Sequence, residues 1–449
     1  MRPGTLVGAL CLGLSGAVHA TDLLQVYERA LQVDPQWRQA ISTHLAARET
    51  KTQALINLLP IDISANKDWV GLGSRPLTIP AYAAVNLTVN LFSWNNWIAL
   101  KAADATVAQA EANYQAAAQS LVQRVAIQYF AVLNAQEVLT AQQVALDSVQ
   151  QQLDQSEQRF RVGLIGRIDV ETTRAERDSD AAAVIAAKRA LATQQDLLRA
   201  ITDEVYTHLA APREDMPLLS PDPINEDAWV NTAMDQNSNL IASRMAAEIA
   251  RDNLLTAYGG HIPQISISVS RNWALEHGQF STRPEIAAAN IVPPILTDPV
   301  WEAGISIPLF QGGATQSRVR QARYTWDAAK EGVVYTSRQT EEQTRDAYQG
   351  LVSEIEQVTT LKRAVNSNRI ALQAMQAGYQ AGTKTVVDVS VARQALIVAA
   401  TSYAESKYSY LDNIVGLRFA AGTLDRKTIE QINGWLTENP PPPLESSPQ

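Results

Sequence analysis

Histidine spacing is the first test for metal or acid–base chemistry in this chain. The five histidines are far apart, and no two of them stand at a spacing typical of metal ligands. They are His19, His44, His208, His261 and His277. The sequence also has neither a Gly-x-x-x-x-Gly-Lys phosphate loop nor a Gly-x-Ser-x-Gly nucleophile turn. We therefore predict that the chain is not an enzyme and uses neither a metal nor a cofactor.

Two aspartates stand in matching places after glycines. Asp169 comes six residues after Gly163, and Asp388 comes six residues after Gly382. Each glycine marks a turn after a helical segment, and each aspartate precedes the next helix, where a carboxylate can cap free backbone N–H groups. Lys384 lies between the second glycine and its aspartate, where a solvated charge is one interpretation. The spacing predicts two helix–turn–helix hairpins, each with a carboxylate beside its turn.

The first twenty residues are typical of a secretory signal. Arg2 supplies a positive start, and the apolar run from Leu6 to Val18 is too short to span a bilayer as a helix. We predict a signal peptide at 1–20, with Thr21 as the first residue of the mature chain. Cys11 is the single cysteine and lies inside that segment, so the mature protein has no cysteine for a disulfide or a thiolate metal site.

Charge and composition exclude further classes. The formal net charge is -9, which argues against a nucleic-acid partner because phosphate binding needs basic surface. No stretch reaches the roughly 18 continuous apolar residues of a membrane helix. Alanine and glutamine are abundant, which suits long helices.

Two very long helices are predicted from the absence of helix breakers. Residues 81–162 contain neither glycine nor proline, so one helix of ~100 Å can run from about Trp94 to Phe160. Proline is also absent from 309–439, which allows a second long helix from about Ala314 to Ala377. Patterns of this length indicate a coiled coil or a helical repeat.

The chain follows one plan twice. Pro60 corresponds to Pro263, and Gly163 corresponds to Gly382, in the same order along the chain. Such order favours repeated architecture over chance similarity. We predict a first structural repeat at 21–222 and a second at 223–438. A proline-rich tail at 439–449 should be disordered.

Four short segments alternate between apolar and polar residues, near 61–69, 82–92, 262–273 and 300–310. Val85, Leu87 and Val89, for example, alternate with Asn86 and Thr88. This alternation fits strands of a barrel wall with lipid on one side and water on the other, and several tryptophans near the strand ends fit an interfacial belt. Half of a soluble β-sandwich would show the same alternation.

Four strands are too few for one chain to close a transmembrane barrel, because small closed barrels need about eight. Open sheet edges do not persist in lipid. Several chains must therefore combine. Three chains would give twelve strands, although the strand count alone does not exclude a dimer.

Four segments, in order, resemble the TolC-type outer-membrane efflux family, which comprises the outer-membrane factors of type I secretion and tripartite efflux systems. The resemblance covers nearly all of the mature chain. These segments are Tyr129–Ala135, Arg159–Leu164, Ile307–Gly313 and Gly382–Val389. It implies a mainly α fold with a transmembrane β-barrel, in which a trimer builds a long α-helical barrel and a 12-stranded β-barrel from four strands per chain and an internal two-fold repeat.

The resemblance also implies a function. The protein would be a passive exit duct for drugs or secreted proteins, located in the cell outer membrane and extending into the periplasm. Its partners would be membrane lipid, two further copies of the chain, a periplasmic adaptor (membrane fusion) protein, and an inner-membrane transporter of the ABC or RND type. The alternative is a non-channel periplasmic or surface coiled-coil protein, such as an adhesin. The cargo and the choice of transporter stay open.

The family's closing contacts map onto the two hairpins. By resemblance, Asp388 would project into the pore entrance as a ring of three carboxylates. Tyr379 and Lys384 of the second hairpin would contact Asp169 of the first and hold the entrance shut. The lysine replaces an arginine of the family pattern and can make only a point-charge contact. Val391 stands where the best-known members carry a second acidic ring, so a double ring is in doubt.

Overall fold

The computed structural model describes residues 20–58, 60–66, 69–72, 75–78, 82–274 and 298–437. The predicted signal peptide, apart from Ala20, and the predicted proline-rich tail lie outside these residues. The chain divides into two compact units. The first comprises Met1–Arg38, Ala117–Asn237 and Thr340–Gln449, and the second comprises Gln39–Ala116 and Ser238–Gln339. Each unit contains segments of both sequence repeats. The boundaries of the units therefore differ from those of the repeats.

The helices come in pairs of matched length. The first halves of the pairs are α1 (Leu23–Val33), α2 (Pro35–Ile56), α3 (Trp94–Arg161) and α4 (Arg167–Thr202), with 11, 22, 68 and 36 residues. Their counterparts are α5 (Glu226–Gln236), α6 (Ser238–Gly259), α7 (Ala314–Gln380) and α8 (Val386–Ala420), with 11, 22, 67 and 35 residues. A short helix, α9 (Arg426–Asn433), follows. The matched lengths support the two-fold repeat.

Both long helices end at the glycines that the sequence singled out. Gly163 has φ +73° and Gly382 has φ +74°, a left-handed conformation that glycine adopts without strain. The turn after α3 is closed by the N–H of Leu164, which donates to the carbonyl of Arg159 at 2.9 Å. The corresponding bond after α7 runs from Thr383 to Gly378, also at 2.9 Å. The two hairpin turns are therefore built alike.

The strands form one four-stranded antiparallel sheet in the second unit. Its order is β1-β4-β6-β7, with β1 (Ile61–Asn66), β4 (Tyr82–Phe92), β6 (Gln264–Ala274) and β7 (Val300–Ser306). A small hairpin of β2 (Trp69–Leu72) and β3 (Arg75–Thr78) adds a pair that the sequence did not predict. In the first unit, β5 (Ala211–Pro212) pairs with β8 (Leu436–Thr437). The four predicted barrel strands are confirmed as one sheet.

Strand register sorts the sheet into an apolar and a polar face. Leu87 lies opposite Ile61 on one side and Val269 on the other, and Val269 in turn faces Trp301. One residue further along β4, Thr88 lies opposite Ser268, which faces Glu302. Because successive side chains point to opposite faces, these two rows lie on different sides of the sheet. The alternation predicted from the sequence is thus kept across strands.

The core of the first unit contains the first of the four segments that carry the family resemblance. Tyr129 and Phe130 are fully buried, and their rings meet edge to face at 5.7 Å between centres. Phe130 stacks on Tyr408 of α8 at 6.3 Å. The hydroxyl of Tyr129 donates to the carbonyl of Ala210 at 2.6 Å, and burial raises the pKa of that hydroxyl. This aromatic cluster ties α3 to α8 and to the chain segment before β5.

Among the described residues, no helix combines the length and the hydropathy needed to cross a membrane.

Candidate functional site at the hairpin turns

Asp388 closes the N-terminal cap of α8. Thr385 occupies the N-cap position, and its hydroxyl accepts a hydrogen bond from the N–H of Asp388 at 3.2 Å. One carboxylate oxygen of Asp388 accepts in return from the N–H and the hydroxyl of Thr385, each at 2.9 Å. These bonds, chiefly the one from the Thr385 backbone, and then the charge of Lys384, lower the pKa of Asp388. The carboxylate is therefore held in its charged form beside the turn.

Asp169 makes half of the same arrangement at the start of α4. Its carboxylate accepts from the N–H of Gly166 at 3.2 Å. Gly166 stands at the N-cap and has no side chain to return the bond. Both aspartates thus accept hydrogen bonds from backbone N–H groups at the start of a helix, as the capping interpretation predicts. The aspartates occupy the third helical position, and Thr385 and Gly166 occupy the caps themselves, which is the division of roles in a capping box.

Lys384 lies within the second turn, and Tyr379 lies at the end of α7 just before it. A Cβ at Gly378 would fall 2.7 Å from Cγ of Lys384, so the lysine stem runs directly over that glycine. The ring of Tyr379 lies under the guanidinium of Arg159, with 5.1 Å between the ring centre and the guanidinium carbon. Tyr379 thereby connects the end of α7 to the end of α3. Its hydroxyl has no hydrogen-bond partner among the described residues.

Not every predicted contact is made within one chain. Lys384 acts electrostatically on Asp388 of its own hairpin. In the described part of this single chain, no ion pair joins Lys384 to Asp169, and the first hairpin is braced instead by Arg174 with Glu157 at 3.0 Å. The closing contact between Lys384 and Asp169 stays a prediction.

Apolar side chains surround the turns and face solvent. On the first hairpin, Val162, Leu164 and Ile168 are 70%, 71% and 76% exposed. On the second, Val387 and Val391 are exposed by 55% and 65%. We call these five residues the apolar rim. A grouped apolar surface of this kind is typical of a site that contacts another protein.

Sequence reasoning missed a buried polar contact further from the turns. Arg393 of α8 is 3% exposed and donates to Glu176 of α4 at 2.9 Å and to Gln152 of α3. The available signal was position, because Arg393 falls in the 3-4-3 spacing of Val386, Val389 and Leu396, which is an apolar stripe. A charge in such a stripe must find a partner on a neighbouring helix.

No group of three or more His, Cys, Asp or Glu side chains that could hold a metal ion occurs in the described ranges.

Comparison with known proteins places this geometry in a family. Two stretches of the chain, residues 26–203 and 229–423, match the model of the family described as Outer membrane efflux protein. The Outer membrane protein TolC of Escherichia coli (strain K12) is 30% identical over 453 residues, which cover 99% of this chain and 90% of that relative. The Alkaline protease secretion protein AprF of Pseudomonas aeruginosa is 25% identical over 443 residues, which cover 95% of this chain and 90% of that relative.

Solved structures share the fold. The CmeC outer membrane channel of Campylobacter jejuni superposes with a TM-score of 0.73 at 17% identity, covering 97% of this chain and 96% of that chain. The resemblance noted from the sequence is therefore confirmed over almost the whole length. The chain belongs to the outer membrane efflux protein family and is an outer-membrane channel protein of the kind that serves efflux and secretion.

Proposed function

We propose that three copies of this chain form a passive exit duct across the outer membrane, which the two hairpins close and open at its periplasmic end. The observation that carries the proposal is the pair of sheet edges. β1 and β7 are the outer strands of the four-stranded sheet, and neither has a second partner among the described strands. Because open edges do not persist in lipid, β1 of one copy must pair with β7 of the next. Three copies then give a closed sheet of twelve strands.

Gating is assigned to the hairpin turns. Asp388 would contribute one carboxylate per chain to the entrance, and its cap bonds keep that carboxylate charged. Tyr379 and Lys384 would hold the second hairpin against Asp169 of the first. Opening would then part the two hairpins in all three chains, in the manner of an iris. The turns at Gly163 and Gly382 allow each hairpin to move as a unit, because both glycines end their helices without strain.

The partners follow from the apolar rim and from the lack of a catalytic motif. Apart from Val391, which would face the pore, the apolar rim supplies a surface for a periplasmic adaptor protein, and these exposed side chains would be buried on binding. The energy for export would come from an inner-membrane transporter of the ABC or RND type. The relative AprF carries protease secretion in its name, and the cargo here would be drugs, secreted proteins or both.

Single-channel recording tests the proposal. The mature protein is extracted from outer membranes in detergent, sized, and inserted into planar bilayers. We expect a trimer that conducts ions in discrete steps. A coiled-coil adhesin would give no steps. A monomer that stays folded in detergent and shows no pore would contradict the proposal, because its sheet edges would have to be stable without partners.

A further inference from the structure

Five polar side chains form a layer inside the helices of the first unit. They are Gln152 and Ser156 of α3, Glu176 and Asp180 of α4, and Arg393 of α8. Four of them are at most 8% exposed, and the side chain of Glu176 is 16% exposed. Buried apolar side chains lie one helical turn away on each helix. They are Val149 on α3, Val184 on α4, and Val389 and Leu396 on α8. We call these five residues the polar layer.

Arg393 is the residue that joins the two hairpins across this layer. Its guanidinium donates to Glu176 of α4 at 2.9 Å and to Gln152 of α3. These partners lie 217 and 241 positions away in sequence, on the first hairpin, whereas Arg393 is on the second. A motion that separates α8 from α3 and α4 breaks both bonds together. The contact therefore lies on the path of the proposed opening.

The polar layer is only partly satisfied. Five of its buried atoms have no hydrogen-bond partner among the described residues: Gln152 Nε2, Ser156 Oγ, Glu176 Oε2, Asp180 Oδ2 and Arg393 Nε. Taking charged groups out of water is costly unless all their bonds are replaced. Parting the hairpins would return these atoms to water. The bonds of Arg393 therefore hold the hairpins together, whereas hydration of the unpaired atoms offsets part of the free energy needed to separate them.

We propose that Arg393 is a latch residue of the duct, which holds α8 of the second hairpin to α3 and α4 of the first and lets go when the entrance opens. The inference rests on the proposed function. It adds a charged contact to the Tyr379, Lys384 and Asp169 set, five residues, or about one and a half helical turns, beyond Asp388. Removing the arginine leaves the Glu176 carboxylate buried beside Asp180 without its cation, and access of water to these carboxylates then favours separation of the hairpins.

A second role for buried polar residues in coiled coils is to fix helix register and assembly. The two roles differ in what they change. A register residue alters trimer yield and heat resistance and leaves the conductance of correctly assembled trimers unchanged. A latch residue alters the conductance of assembled trimers.

The experiment compares purified trimers in planar bilayers. Arg393→Met keeps an unbranched, flexible stem and removes the guanidinium charge, and we expect the mean conductance to rise at least threefold. Glu176→Gln should raise conductance less, because glutamine keeps an oxygen that can still accept a hydrogen bond from Arg393. The exchange Arg393→Glu with Glu176→Arg should return conductance to within twofold of wild type. Arg167→Ala is the control, because Arg167 is 82% exposed and its one ion pair within the described residues is with Glu171 of its own helix.

Each outcome decides the matter. Trimers of Arg393→Met that conduct like wild type overturn the latch, and so does a rise that the charge exchange fails to reverse. If Arg393→Met yields no trimers, Glu176→Gln alone decides, since unchanged conductance there overturns the latch and a rise supports it. Wild-type trimers without any pore would overturn the duct and the latch together. A wild-type pore with unaffected variants overturns the latch alone.

Discussion

The guanidinium of Arg159 lies 5.1 Å from the centre of the Tyr379 ring, so the last turn of α3 rests on the last turn of α7. The ring face makes this contact, while the hydroxyl has no hydrogen-bond partner among the described residues. A cation over an aromatic face at an exposed site contributes about 0.5–1 kcal/mol. The two hairpins are therefore joined beside their turns by a contact that needs the ring and not the hydroxyl.

This geometry separates two substitutions of one residue. Tyr379→Phe keeps the ring under Arg159, so we expect conductance of the isolated channel to stay close to wild type. Tyr379→Leu removes the ring and should raise conductance. Arg161→Ala is the matched control, because in the part of the chain that the structure describes Arg161 donates to the Glu157 carbonyl of its own helix and to nothing else. Equal effects of the Phe and Leu variants would show that the hydroxyl acts instead, through a contact with another copy.

The role of Lys384 can be tested by two variants, one that removes its charge and one that displaces the side chain and keeps the charge. Lys384→Ala should raise conductance if the lysine contacts Asp169, and an exposed ion pair of this kind contributes about 0.2–1 kcal/mol. Gly378→Ala would place a methyl group 2.7 Å from Cγ of Lys384 and displace the same side chain, so conductance should rise there also. The measurement is single-channel conductance of purified trimers. Unchanged conductance in a Lys384→Ala/Tyr379→Leu double variant would remove both residues from the closing contact.

Asp388 has two roles, a proposed one as a charge at the entrance and one as part of a helix cap, and two substitutions distinguish them. Asp388→Asn keeps an oxygen that can accept from Thr385 and removes the charge, whereas Asp388→Ala removes both. We expect both variants to lose most of the cation preference and the block by divalent or trivalent cations from the periplasmic side. Val391→Asp should strengthen the block by adding a second ring. Asp178→Asn is the control, because Asp178 is a carboxylate of α4 that is 62% exposed and has no part in the proposed closing contact. If Asp388→Asn retains preference and block, the residue is a helix cap only.

The pH range of this preference follows from the sign of the pKa shift. The pKa of Asp388 is lowered by its bonds to Thr385. Within one chain these bonds favour the charged carboxylate, whereas repulsion among three carboxylates at a closed entrance would raise their pKa. Reversal potentials measured from pH 7 downwards compare the two effects: cation preference that persists below the range in which an ordinary aspartate is protonated shows that the cap bonds dominate, and earlier loss shows that repulsion dominates.

The long helices could be predicted from the sequence to within three residues. Glycine and proline are absent inside α3, and turn glycines follow both long helices, so local rules decide where they end. The alternating strands were also predictable, since period-two alternation is a local pattern. The β2–β3 hairpin was not, because Gly71 and Pro76 within it are typical of turns rather than strands.

The polar layer was beyond sequence reasoning for a different reason. Arg393, Glu176 and Gln152 come together only when helices far apart in the chain are packed. Glu176 and Gln152 look like ordinary surface residues of their helices, and the position of Arg393 in an apolar stripe does not reveal its partners. Asp169 and Asp388 were found because their bonds lie three residues away, within reach of a local pattern.

Two glycines with the same backbone conformation should respond differently to alanine. Gly382 and Gly422 both have φ +74°, and alanine in a left-handed conformation costs about 1–2 kcal/mol. A Cβ at Gly382 would meet nothing within 4 Å, whereas one at Gly422 would lie 2.4 Å from the carbonyl oxygen of Gln236. Gly422→Ala should therefore lower the temperature at which trimers dissociate much more than Gly382→Ala. Similar losses in semi-native gels would contradict the close approach at Gly422.

Asp412 should make the assembly less stable as the pH rises. One of its carboxylate oxygens is buried without a partner among the described residues, and burial raises the pKa of Asp412 to about 8. Such a carboxyl binds its proton more tightly when folded, so stability is full at acidic pH and falls as the pH rises from about 4 towards 8.

The dissociation temperature of trimers, measured between pH 5 and pH 9, checks this prediction. The wild type should lose heat resistance over that range, and Asp412→Asn should remove most of the loss. Asp346→Asn is the control, because Asp346 is an exposed carboxylate on α7. A pH profile that Asp412→Asn leaves unchanged would show that the decline arises elsewhere.

The two outer strands of the sheet also determine how mixed populations of chains behave. In the proposed trimer each copy offers β1 to one neighbour and β7 to the other. A copy whose β7 is blocked by a proline can still join through β1, and the ring that contains it then cannot close. With sound and blocked copies in equal amounts, only about one random trimer in eight is free of blocked copies. A mutation that blocks one edge strand would therefore be dominant, because blocked copies would inactivate most trimers in a cell that also carries an intact gene.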